Sequence, residues 1–235
     1  MATIPADPRL AVGRTSPGKL AAFVKATREA PMTPLVILGG LVLVALLADL
    51  IAPYDPTLPV KDAEMFRPPF WMEGGSVATL LGTDFQGRDI LSRLIYGARV
   101  SLIVGIMGTL VAGGIGTAMG ILSGYVGGWV DQIIMRVTDA WLALPAIVFA
   151  IFLAAMVGPS MWNIIVILGA VYWTRYARVI RGEVLSLRER EFVKLAVVAG
   201  CSKRTIMARH ILPNVLNSAI VLGTLMLGVV IVTEA

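Results

Sequence analysis

The sequence predicts an all-α protein that crosses a lipid bilayer several times, and three observations carry that expectation. Residues of the AVILMFWYC set make up 57% of the 235 residues and charged ones only 15%, against about 25% charged in soluble domains. Mean hydropathy is +0.82. The charges that exist are confined, so that Val100–Val130, Ala140–Thr174 and His210–Thr233 carry none. A single cysteine, Cys201, excludes a disulfide-stapled fold, and the apolar mass excludes disorder.

A span needs about 20 apolar residues, and five fit the uncharged runs. The first covers 34–52, where twelve Leu, Ile or Val residues tolerate Asp49 near the end. The second covers 100–122 and is closed by a loop at Gly124-Tyr125-Val126-Gly127-Gly128. Ala140–Thr174 is too long for one helix and breaks at Gly158-Pro159-Ser160, which separates spans at 138–157 and 161–178. The fifth covers 214–235. Residues 1–33, with Arg9, Arg14, Lys19, Lys25 and Arg28, read as a cytoplasmic tail with no apolar signal-peptide core before it.

Orientation follows from the basic residues. Segment 53–99 has five basic and six acidic residues, whereas 175–209 has nine basic against Glu183, Glu189 and Glu191. The positive-inside rule then puts the N-terminus and the loop 179–213 in the cytoplasm, and 53–99 outside. Within 53–99, Asp89 and Arg93 form an i,i+4 pair. Ile90, Leu91, Leu94 and Ile95 make an apolar face, as in a short helix lying on the outer membrane surface.

The cytoplasmic loop reads as helix, corner, helix. Ser186 and Glu189 form a capping box that starts a helix of about thirteen residues, and Gly200 ends it. Ser202 caps a second short helix to about Ile211, and Pro213 suits the start of the last span. Leu195–Ala199 is wholly apolar, so it is buried against its own protein or lipid, or it docks a cytoplasmic partner.

Gly116, Gly120 and Gly124 share a helix face and let another backbone approach, within the subunit or across an interface. Asp139 pairs with Arg136 near the inner end of the third span, and Pro145 kinks that span, for a gate or to fit its neighbours. One histidine and one cysteine supply no metal cluster, and no phosphate-binding G-x4-G-K-[ST] loop is present. The chain is therefore not expected to be an enzyme or to bind a cofactor. The basic loop is accounted for by membrane orientation, not nucleic acid.

Three stretches carry a family resemblance. The loop from Lys194 to Pro213 resembles the coupling loop of ABC importer permeases, E-A-A-x3-G-x9-I-x-L-P. Gly200 and Leu212-Pro213 are in place, while Lys194-Leu195-Ala196 stands for Glu-Ala-Ala and His210 for the isoleucine. Leu81–Leu102 and Ser123–Asp139 with Pro145 resemble the C-type subunit of peptide, oligopeptide and nickel importers. The resemblance implies a type I importer permease fold in a bacterial plasma (inner) membrane. Its implied partners are a second permease subunit, two ATPase subunits that bind ATP and Mg, and an extracytoplasmic substrate-binding protein. It also implies coupling to the ATPases through 187–206, with Lys194, Leu195, Ala196, Gly200, Ser202 and Pro213 as the residues involved. A sixth span is expected after a loop that begins near Glu234-Ala235, so either more chain follows or the subunit is short. The alternatives are a nickel or other small-solute importer and, outside the family, a non-transporting membrane scaffold or a secondary transporter.

Overall fold

In a computed structural model, residues 32–61 and 64–234 are described, and the expected cytoplasmic tail up to residue 31 lies outside them. The chain divides into two units, Met1–Leu43 and Val44–Ala235. The described helices are α1 (Met32–Leu46), α2 (Ala48–Ile51), α3 (Ile90–Val126), α4 (Gly128–Leu142) and α5 (Ala146–Val157). They continue with α6 (Met161–Arg188), α7 (Glu191–Val198), α8 (Lys203–Thr205), a π-helical turn (Ile206–Ile211) and α9 (Leu212–Glu234). By length and apolarity, α3 and the continuous run Lys203–Glu234 each suffice to cross a bilayer, and the bent pair α4–α5 makes a third.

Helix α6 lies at the centre. Its Ile165, Leu168, Val171, Tyr172 and Tyr176 are buried with Val104 and Ala112 of α3 and Val230 of α9. A helix enclosed by protein needs a less apolar surface than one facing lipid, so α6 tolerates four arginines. Helix α5 is the converse: among the described residues it buries none of its own, and it is apolar all round.

The glycine stripe sets the α3–α6 distance. A Cβ at Gly116 would lie 2.3 Å from the Trp173 carbonyl oxygen, and one at Gly120 would lie 2.8 Å from that of Ala177. At Gly124 it would meet the Val184 Cβ at 2.8 Å. Two of these neighbours are backbone and cannot step aside, so the helices touch main chain to main chain.

Several boundaries differ from the expectations. No separate surface helix precedes the second span: α3 starts at Ile90 and runs unbroken for 37 residues, about 55 Å at 1.5 Å per residue. Asp89 does not pair with Arg93 but caps the helix, accepting from the Ser92 amide at 2.8 Å and its hydroxyl at 2.7 Å. Arg93 turns instead to Asp84. The expected loop after the second span shrinks to Gly127, whose φ of 69° turns the chain directly into α4. Pro145 does more than kink the third span. The chain breaks over Ala143–Pro145, and α4 and α5 meet at 91°, because proline lacks the donor and disfavours helix in the residue before it.

The loop 64–89 is held by polar side chains. The Thr83 hydroxyl donates to the Glu64 carbonyl at 2.6 Å and accepts from the Arg67 amide at 3.0 Å. Asp84 accepts from the Gln86 and Arg88 amides and the Arg88 guanidinium, at 2.8, 3.0 and 2.8 Å. Desolvation pushes its carboxyl up, but those amides and the Arg88 and Arg93 guanidinium groups hold it well below the ordinary carboxylate range. Asp49 accepts from the Tyr96 hydroxyl and Arg99, at 2.9 and 3.0 Å, so the first span's acid is paired with α3.

Two outcomes are expected. Gly116→Val lowers the thermal midpoint of the detergent-purified protein by the equivalent of about 1–3 kcal/mol. Gly97→Ala, whose Cβ meets nothing within 4 Å, leaves the midpoint unchanged or raises it. The support Asp84 gives the loop is complete above its unfolded pKa of about 3.9 and fades as pH falls toward its lower folded value. Hydrogen exchange of residues 64–89, corrected for its intrinsic pH dependence, therefore stays constant from about pH 7 to 5 and rises only below about pH 4. In Asp84→Asn it is raised throughout.

Candidate functional site

The candidate site is the segment 189–213, at the end of the bundle that charge distribution assigns to the cytoplasm. The expected capping box does not form. Ser186 lies within α6, which continues to Arg188, and the chain restarts at α7 after Glu189-Arg190. Helix α7 therefore has eight residues rather than about thirteen. Gly200 ends the corner with φ of 78°. Its amide donates to the Val197 carbonyl at 3.0 Å, and the Cys201 amide donates to that of Ala196 at 3.0 Å. This pair of bonds is a Schellman closure. Ser202 then caps α8, its hydroxyl accepting from the Thr205 amide at 3.2 Å.

Pro213 is the second residue of α9, at the start of that helix as expected, but no break precedes it. Lys203–Glu234 runs on as one arm, and the missing proline donor is absorbed by the π turn, where the Leu212 amide reaches back to the Met207 carbonyl. The Asn214 side-chain amide donates to the His210 carbonyl at 2.6 Å. The segment thus passes into α9 without a hinge.

Burial divides the segment into two faces. Val193, Ala196, Ile206 and Ile211 are buried with Ile121 of α3, Ile180 and Val184 of α6, and Val215 of α9. Ala196 is 7% exposed and faces this small core, so the structure separates it from Leu195 and places it away from any docking surface. The outward face carries Phe192, Leu195 and Val198, at i, i+3 and i+6, with Val197 beside them; Leu195 is 66% and Val198 84% exposed. Lys194 is exposed and pairs with Glu189 at 3.2 Å. An apolar cleft of about 410 Å³ lies beside α7, lined by Val193, Val197, Val198 and Tyr125 and rimmed by Arg188, Lys194 and Lys203.

The segment's support is ionic as well as apolar. Arg181 of α6 binds Asp131 of α4 through two bonds, Nε to Oδ1 at 2.5 Å and a terminal nitrogen to Oδ2 at 2.6 Å. Ser123 of α3 donates to the same carboxylate. Asp139 pairs with Arg178 of α6 at 2.5 Å, not with Arg136. Glu183 of α6 accepts from Ser218 of α9 at 2.9 Å. These contacts tie α3, α4 and α9 to α6 next to the segment. Phe192 was not singled out from the sequence, and Val197 and Val198 were read only within the apolar run Leu195–Ala199, although a helix start at Arg190 would have placed Phe192, Leu195 and Val198 in one stripe.

With this geometry in hand, residues 116–235 match the family described as binding-protein-dependent transport system inner membrane component. The dipeptide transport system permease protein DppC of Haemophilus influenzae is 40% identical over 78% of this chain and 62% of its own length. The protein of that name in Alkalihalophilus pseudofirmus is 36% identical over 90% and 69%. The oligopeptide transport system permease protein OppC of Haemophilus influenzae is 37% identical over 84% and 62%. The chain thus spans less than two thirds of the two Haemophilus relatives. It belongs to the family of binding-protein-dependent transport system inner membrane components.

Proposed function

We propose that the chain is a permease subunit of an ATP-driven importer of peptides, contributing one half of a translocation path. The observation that carries the coupling part is the outward face of α7, an apolar stripe at the basic, cytoplasm-assigned end of the molecule. A soluble surface does not keep such a patch bare without a partner. The same eight residues are anchored from behind by Val193 and Ala196, so a force on the stripe is delivered to the inner ends of α3, α6 and α9. The peptide class follows the names of the dipeptide and oligopeptide relatives. A second permease, a pair of ATPase subunits with ATP and Mg, and an extracytoplasmic binding protein complete the importer.

In this reading Leu195 and Val198 seat on the ATPase, with Phe192 and Val197 at the margin. Lys194 stands outside the seat, held by Glu189. Gly200 and Ser202 hold the corner, and Pro213 with its π turn passes motion into α9. Coupling requires that the ATPases hold this segment differently in their two states. Asp139 with Arg178, and the break at Pro145, fix α4 and α5 against α6 and are structural in this account.

The corner supplies the test. A Cβ at Gly200 meets nothing within 4 Å in this chain, so Gly200→Val acts through its positive φ, which a β-branched residue resists and asparagine tolerates. In proteoliposomes containing the whole importer, Gly200→Val reduces peptide uptake about tenfold while ATP hydrolysis continues, and Gly200→Asn retains uptake. Normal uptake by Gly200→Val would contradict the coupling role. Leu195→Asp with Val198→Asp is expected to lower the amount of ATPase that co-purifies, without reducing the amount of chain in the membrane.

A further inference from the structure

A groove between α3 and the α8–α9 arm, with a cavity volume of about 950 Å³, has so far been given no role. Its walls run from Ile106 to Leu122 on α3 and from Arg204 to Leu227 on the arm. That is about 24 Å along α3 at 1.5 Å per residue, against a hydrocarbon thickness of about 30 Å. Glycine, alanine and leucine dominate the lining, and Arg204, at the end next to the coupling segment, is its one charged residue.

The floor is less apolar than the walls. Tyr176 of α6 lines it, is 1% exposed, and has a hydroxyl without a hydrogen-bond partner among the described residues. The Thr109 hydroxyl, also lining the groove, has none either. A buried hydroxyl is normally paired, as three others on α3, α6 and α9 are: Tyr172 with Thr233 at 2.8 Å, Ser101 with Glu234 at 2.8 Å, Ser218 with Glu183 at 2.9 Å. Thr79 and Thr174 are also unpaired, but neither lines the groove. Gly223 of α9 lies against the Tyr176 hydroxyl and the Thr109 methyl. A Cβ there would lie 3.6 Å from the Tyr176 hydroxyl oxygen and 3.7 Å from the Thr109 methyl. With no side chain at Gly223, the buried tyrosine hydroxyl faces the α9 backbone where it lines the groove.

We infer that Tyr176, Thr109 and Gly223 form a binding station for the amide groups of a short peptide on this chain's wall of the translocation path. This rests on the peptide-permease reading. A hydroxyl both donates and accepts, so the pair complements a peptide N–H and C=O whatever the side chains. The absence of charge along the walls beyond Arg204 keeps the contact weak enough for release, as conduction demands. A small parting of α3 and α9 brings both hydroxyls to the surface. Arg204 at the inner mouth suits the peptide carboxylate on its way out.

The test uses the complete importer in proteoliposomes, with radiolabelled L-alanyl-L-alanine at saturating binding protein. Tyr176→Phe combined with Thr109→Val lowers the uptake rate about threefold to tenfold, the worth of a neutral hydrogen bond or two. Tyr176 kept beside Thr109→Ser restores most of it. Gly223→Leu, which covers the Tyr176 hydroxyl, lowers uptake too, and in a Cys201→Ser background dialanine slows thiol labelling of Ala118→Cys. Uptake within about twofold of normal in the double variant overturns the station. So does an Ala118→Cys that cross-links to the second permease with or without peptide, which would make the groove a helix seat. If the unaltered importer does not take up dialanine at all, the peptide reading itself fails and the station falls with it.

Discussion

The close approach of α3 and α6 is the constraint on which the rest of the molecule depends. In lipid no hydrophobic drive holds two apolar helices together, and packing of small residues takes its place. Gly116, Gly120 and Gly124 let α3 settle onto the backbone of α6 at Trp173, Ala177 and Arg181. With that distance set, Tyr172 and Tyr176 are enclosed, α9 closes the third side through Val230, and Ser123 of α3 reaches the Asp131 that Arg181 holds. A helix carrying four arginines remains central because Arg181 and Arg178 pair with Asp131 and Asp139 of α4, Arg175 lies over the Tyr172 ring and Arg188 stands beside Glu189.

The same approach prepares the coupling segment. Ile121, Ile180 and Val184 come together at the ends of α3 and α6 and form the floor on which Val193, Ala196, Ile206 and Ile211 rest. The Schellman corner at Gly200 and the π turn before Pro213 fold the segment back onto that floor and then into α9. On the proposed function, a push on Leu195 and Val198 reaches the arm that forms one wall of the groove. The proposed seat of the ATPase on α7 is thus joined through the Gly200 corner to the continuous helix Lys203–Glu234, which forms one wall of the groove.

Much of this was legible in the sequence. Uncharged runs located the apolar helices, the four-residue glycine spacing marked the face that packs, and Gly200 and Ser202 were correctly read as corner residues by their local chemistry. The failures share a physical cause. Ser186-x-x-Glu189 fits a capping box, yet α6 runs through Ser186, because tertiary packing of Val184 and Ile180 extends the helix. Asp139 has an arginine at i−3 but pairs with Arg178, 39 residues away. Pro145 signals a bend, but its size of 91° depends on what α5 packs against. The inward turn of Ala196 and the unpaired hydroxyl of Tyr176 depend on helix phase and three-dimensional neighbours, which a linear pattern does not carry.

The central claim is that the outward stripe of α7 is the surface that meets the ATPase. Cross-linking in the assembled importer tests it most directly, with Leu195→Cys placed in a Cys201→Ser background and Val193→Cys, which faces the small core, as the reference. The account predicts a cross-link from Leu195→Cys to an ATPase subunit, formed in good yield and altered by nucleotide, with none from Val193→Cys. A Leu195→Cys that stays open to thiol reagent in the full complex and cross-links to nothing would contradict it.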